Sequence, residues 1–392
     1  MDTKVKNKWF NFIILYLGAV VLSMSQLKIT PIFNEVSSDL SITATQTSLL
    51  MSVFTFSALF LAIPAGKLIS KYGVKKISIL IMFFLFIGNV MDIFANSYGL
   101  LLLSRIIEGV SFAMINMVGI IFINDWFKEG GSGIAIGIFG TFSATASLIA
   151  MNIYRPIYER FGLKSVWIVT AVLAGIVTFL YGVVFKDIRE ESEEEGTLKE
   201  ASSNKYIWIL ALAMGCMSLV LFTFLAIYPS IFMDIQGLSP DKANSYAGFF
   251  GLFGVPFGLI AGVIIDKTNK PGLLAFITNI LIVLSTFFVI KIKPELVLIQ
   301  VFILSAAISM NSTAINISIQ KSVKRPILLG YSLSLLYLFY YIGTFVGPPL
   351  TTKIMEISNW STSLTVLSGI SLLGALCLLY YVLDYERKLI NK

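Results

Sequence analysis

Three charged side chains stand inside stretches that are otherwise apolar: Lys28, Arg105 and Glu108. A charge at the centre of a bilayer costs at least about 2.5–3.5 kcal/mol, so one found there normally faces a cavity or a partner. Arg105 and Glu108 are three residues apart, on one face of a helix, where they can pair. Such a pair leaves Lys28 as the unbalanced cation, and an unbalanced cation invites an anion. On this count cations outnumber acids in the apolar stretches by two to one, which makes a small anion the expected cargo. Each residue also has a plainer reading. Lys28 can snorkel along its stem to the headgroups, Arg105 can be a structural tie to Glu108 or to backbone carbonyls, and Glu108 is equally a candidate protonation site.

Uncharged polar residues in the same stretches add Gln26, Asn311 and Tyr337 as expected substrate contacts, with helix-to-helix bonding as the competing role. Gln26 precedes Lys28 by two residues, roughly 200° around an ideal helix, so both reach one cavity only where the helix unwinds. Lys28 is favoured of the two. Tyr337, Tyr340 and Tyr341 lie one to two turns before the run Gly343 to Pro349. Pro348 there removes a backbone donor and bends its helix, which makes the run a candidate gate.

These residues need a scaffold, and composition says which kind. The chain has 392 residues, 57% hydrophobic and 13% charged, with a mean hydropathy of +0.86, whereas soluble domains are about 25% charged. Apolar runs long enough to span about 30 Å of hydrocarbon start near Trp9, Ala44, Lys76, Tyr98, Gly133, Lys164, Lys205, Ala243, Pro271, Glu295, Ile327 and Ser361. The first, Trp9 to Phe33, is too long for a signal-peptide core and is expected to remain as a helix. With the N-terminus inside, the inner segments hold 20 of the 29 Lys and Arg and the outer segments 7, the bias that fixes orientation. Both termini are therefore expected on the cytoplasmic side of a cell membrane. The polar stretch Lys186 to Lys205 contains the acidic run from Glu190 to Glu195 and falls near the midpoint. The expected fold is an all-α membrane protein of twelve transmembrane helices in two pseudo-symmetric six-helix bundles. Residues 1–186 form the first, 187–204 a cytoplasmic acidic linker, and 205–392 the second.

Histidine is absent, and the two cysteines, Cys216 and Cys377, sit in apolar runs. Zinc chemistry and imidazole-based catalysis are excluded, and no disulfide, metal, cofactor or enzymatic activity is expected. The net charge of +7 flanks apolar runs rather than forming a stripe, so the expected surroundings are a lipid bilayer and a small solute, with no nucleic acid.

The loop after the second apolar run, Gly66-Lys67-Leu68-Ile69-Ser70-Lys71-Tyr72-Gly73, resembles the hallmark loop of the major facilitator superfamily, with Ser70 where that family usually has aspartate. Gly262-Val263-Ile264-Ile265-Asp266-Lys267 is the corresponding stretch of the second half and keeps the acid. Leu101 to Gly109 resembles the family's arginine motif, often linked to proton coupling. The resemblance implies a secondary transporter working by alternating access as a monomer. Gly66, Ser70, Lys71, Gly73, Gly262, Asp266 and Lys267 would serve the gates, and Arg105 and Glu108 proton coupling. Gln26 to Pro31, Leu50 to Phe54 and Phe161 to Trp167 are loosely similar to the cyanate permease and nitrate/nitrite porter branch, though that branch's arginine on helix 2 has no counterpart here. The expectation is uptake of a small anion with proton symport. The alternative is proton-coupled efflux of drugs or other amphipathic compounds, against which Gly133 to Phe142 lacks the Gly-Pro of drug antiporters. Frequent Ile, Lys and Asn point to a bacterial source.

Overall fold

The computed structural model describes residues 8–61, 64–127, 135, 138–186, 198–323 and 328–387. Among them every regular element is helical, and eleven helices are long and apolar enough to cross a membrane. The fifth expected span begins near Gly133, outside the described residues, and continues in a 20-residue helix, Phe142–Phe161.

The helices begin and end where local chemistry dictates. Ser97 accepts from Leu100 N at 3.3 Å, Asn204 from Tyr206 N at 3.0 Å and Asn359 from Thr362 N at 2.8 Å, each starting a long helix. Pro240 and Pro271 begin two others, where a missing N–H costs nothing. Asn269 ends Pro240–Thr268 in the left-handed conformation.

Two compact units result, Met1–Ile42 with Val53–Ser192, and Thr43–Ser52 with Glu193–Lys392. The first contains α1 (Lys8–Leu27), a 3-10 turn (Thr30–Ile32) and α2 (Phe33–Asp39). The second unit takes α3 (Ala44–Ser52), after which the first resumes with α4 (Phe56–Leu61), α5 (Ala65–Tyr72), α6 (Val74–Ile93) and α7 (Tyr98–Trp126). Two further helices, α8 (Phe142–Phe161) and α9 (Leu163–Val184), complete it. In its core α6 packs between α7 and α9, and α1 lies along α8 and α9.

The second unit continues with α10 (Leu198–Ser202), α11 (Lys205–Asp234), α12 (Pro240–Thr268), α13 (Pro271–Phe288) and α14 (Val297–Ser322). It closes with α15 (Leu329–Ile357) and α16 (Trp360–Tyr381). Residues 43–52, expected in the first bundle, group here because α3 lies along α15, where Ser48 Oγ meets Thr352 Oγ1 at 2.7 Å. The α11–α15 seam is built on small residues: a Cβ on Gly343 would come within 2.2 Å of Gly215 O, and one on Gly347 within 2.5 Å of Leu219 O. Close backbone approach of this kind replaces the hydrophobic effect as the glue between helices in lipid.

Gly73 joins α5 to α6 at φ 84° and ψ 146°, a combination open essentially to glycine alone. Gly73→Ala is expected to cost on the order of 1–3 kcal/mol. Thermal unfolding in detergent checks this against Gly182→Ala, a position where a Cβ meets nothing within 4 Å.

Candidate functional site

Helix α1 stops at Leu27, and Lys28 and Ile29 turn the chain into the 3-10 segment that holds Pro31. The last four carbonyls of any helix lack partners within it. Here two are taken by Arg105, whose Nη1 donates to Ser25 O at 2.8 Å and Nη2 to Gln26 O at 2.9 Å. The negative end of the helix dipole thus faces two cations, Arg105 and Lys28.

Lys28 Nζ donates to Asn89 Oδ1 at 2.8 Å, to Glu108 Oε1 at 2.7 Å and to Asp92 Oδ2. Arg105 Nη1 also pairs with Glu108 Oε2, to which Ser25 Oγ donates at 3.1 Å. Ser104 Oγ donates to Asp92 Oδ1, and Asn89 Nδ2 to Ser25 Oγ at 3.0 Å. Asn89 and Asp92 share one face of α6, and Arg105 and Glu108 one face of α7. The short Phe94–Ser97 connection brings those faces together, and α6 is Gly at 88, where a Cβ would sit 2.4 Å from Glu108 Cγ. Aromatic faces close the site: Trp167 lies 5.1 Å from Lys28 Nζ, and Phe54 4.6 Å from Arg105 Cζ.

Among the described residues five charged side chains are buried, and Lys28, Asp92, Arg105 and Glu108 are four of them. The fifth, Glu386, takes the backbone N–H groups of Gly272 and Leu273 at 2.8 and 2.9 Å and so caps α13. Two cations and two carboxylates make the cluster formally neutral. This corrects the expected charge count: Lys28 is not unbalanced, because Asp92 and Glu108 both hold it, and cations do not outnumber acids. Nor does Lys28 snorkel, being 0% exposed. Arg105 realises both of its plainer readings, tied to Glu108 and to backbone carbonyls. The chain does unwind after Leu27, and Gln26, itself buried, contributes its carbonyl to Arg105.

The remaining expected site residues lie elsewhere. Asn311 and Tyr337 belong to the second unit. Asn311 Nδ2 donates to Ala275 O at 2.7 Å and Thr278 Oγ1 at 3.1 Å, so its amide ties α14 to α13. Tyr337 is 36% exposed, donates to Asn316 Oδ1 at 3.4 Å and packs with Tyr340 and Tyr341, ring centroids 5.9 and 6.4 Å away. Gly262, Asp266 and Lys267 are on the last turns of α12, where a Cβ on Gly262 meets nothing and both charges are exposed. The side chains of Gly66, Ser70 and Lys71 lie outside the described residues. Pro348 sits within α15, which continues as helix through it, and Thr352 Oγ1 donates to its carbonyl at 2.9 Å.

Known proteins resemble the chain in sequence and in fold. The family described as Major Facilitator Superfamily matches residues 15–328. The MFS-type transporter ppzB of Metarhizium majus is 32% identical over 35% of this chain, a stretch covering only 30% of that protein. The hexuronate transporter of Bacillus subtilis is 26% identical over 69% of this chain and 68% of its own length. The nitrate/nitrite transporter NrtP of Nostoc punctiforme is 27% identical over 37% of this chain and 31% of its own. The crystal structure of a bacterial homologue of the human lysosomal transporter Spinster superimposes with a TM-score of 0.71 at 16% identity, covering 98% of this chain and 96% of that one.

Proposed function

The chain belongs to the Major Facilitator Superfamily, a family of transporters and not of enzymes, and we propose that its solute is a small anion taken up together with a proton by alternating access. One observation carries the reading: the Glu108 carboxylate is shared between Lys28 and Arg105 in a neutral, buried cluster. A proton bound by Glu108 leaves the cluster one unit positive in a low-dielectric interior, where an unpaired charge is costly. An anion arriving beside Lys28 and Arg105 restores neutrality, so proton and anion each favour the other's binding. Two of the relatives support the class of solute, one named for hexuronate and the other for nitrate and nitrite.

In this reading residues 1–186 and 205–392 are the moving halves, with 187–204 as their linker. Gln26, Asn311 and Tyr337 are the further solute contacts of this reading. The segments holding Gly66, Ser70, Lys71 and Gly73, and Gly262, Asp266 and Lys267, together with Pro348, serve the gates. The protein acts as a monomer in the plasma membrane with both termini in the cytoplasm.

The test is uptake of labelled hexuronate and nitrate into proteoliposomes, with and without an imposed proton gradient. Wild type is expected to accumulate an anion only with the gradient, and Glu108→Gln to lose accumulation while still exchanging labelled for unlabelled solute. Accumulation indifferent to the gradient removes the proton from the mechanism. Movement of amphipathic cations with neither anion transported establishes the efflux alternative instead.

A further inference from the structure

Among the described residues four tyrosines are fully enclosed: Tyr154, Tyr181, Tyr228 and Tyr381. Three have found protein partners for their hydroxyls. Tyr181 donates to Leu15 O at 2.9 Å, Tyr228 to Gln300 Oε1 at 2.8 Å, and Tyr381 meets Ser322 Oγ at 3.0 Å. The hydroxyl of Tyr154 has none. A buried serine or threonine can turn back to a carbonyl of its own helix, as Thr170 does to Val166 O at 3.1 Å. A tyrosine hydroxyl stands too far from its own backbone for that and must be satisfied by what lies opposite. Leaving it bare costs as much as a lost hydrogen bond, which a merely structural position would shed by carrying phenylalanine.

The charged cluster is near Tyr154. Tyr154 is on α8, which packs along α1 and the Thr30–Ile32 turn, on either side of the break that carries Lys28. It is within electrostatic reach of Glu108 and Arg105. At the same turn Thr30 Oγ1 is fully buried and also unpartnered. A neutral O–H held near Arg105 and Glu108 suits an oxyanion that arrives at Arg105: it donates one more hydrogen bond without adding charge. We propose that Tyr154 is a substrate-binding residue, donating its hydroxyl to an oxygen of the anion that enters the Lys28 and Arg105 site. This rests on the anion reading above and adds to it a specificity for solutes that offer an accepting oxygen.

Tyr154→Phe keeps the ring and deletes only the donor. In proteoliposomes under a proton gradient, with hexuronate and nitrate as probes, the variant is expected to melt no lower than wild type. Its KM for the transported anion should rise about ten- to a hundredfold, the effect of one hydrogen bond to a charged acceptor, with kcat little changed. An unchanged KM, with wild type transporting the anion, overturns the role of Tyr154 and leaves the anion reading standing. A shift of the pH profile at constant KM also overturns it, because the hydroxyl then serves Glu108 rather than the solute. If wild type moves neither probe, the anion reading falls and this inference with it.

Discussion

Replacing Lys28 by alanine is expected to lower the stability of the folded protein by about 3–5 kcal/mol, the usual effect of removing one partner from a buried ion pair. The reason is local. Asp92 and Glu108 are both buried and both pair with Lys28, so its removal takes a cation from each, while Arg105 already spends donors on Ser25 and Gln26. A second variant separates stability from function. Lys28→Ala with Asp92→Asn removes one charge of each sign, so it should melt several degrees above the single variant, while the proposed proton-driven uptake is expected to be lost in both. Unfolding in detergent and uptake in proteoliposomes read the two effects independently. If Lys28→Ala melts with wild type, the ion pairs contribute nothing and the cluster is not what holds α1, α6 and α7 together.

The other large effect lies in the second unit. Gly343→Ala puts a Cβ within 2.2 Å of both Gly215 O and Ser218 Oγ and 2.9 Å from Leu219 N, and two of those three atoms are backbone. Neither helix can yield locally, so α11 and α15 must separate. Overpacking costs typically about 1–3 kcal/mol, and contact with backbone belongs at or beyond the upper end. The expected result is a sharp fall in monodisperse protein and in unfolding temperature. Gly369→Ala, where a Cβ meets nothing within 4 Å, should behave as wild type. Recovery of Gly343→Ala at normal yield and midpoint would show that the seam has slack.

Most of the scaffold was legible in the sequence because a bilayer leaves few options: an unpaired backbone group in hydrocarbon costs so much that each apolar run becomes a helix. Polar punctuation such as Ser97, Asn204 and Asn359 then marks where helices start. Lys28, Arg105 and Glu108 stood out for the same reason, as charges where charges are costly. Asp92 escaped because it lies in the last turn of α6, where an acid reads as solvated. Its signal was relational: Asn89 and Asp92 share a face, and a short turn folds that face onto Ser104 and Glu108. Which carbonyls would receive Arg105 was not legible, since every residue has one. Tyr154 carried no signal at all, as only the folded chain distinguishes it from its partnered counterparts.

The even balance of charge around Lys28 has an electrical consequence. Moving one elementary charge through a membrane potential of 100 mV takes about 2.3 kcal/mol, enough to set the direction of a carrier by voltage alone. The site holds two cations and two carboxylates, and under the proposed symport of one proton with one monovalent anion it presents no net charge on either leg of its cycle. Such a carrier produces no current and ignores voltage, and only the concentration gradients of proton and solute drive it.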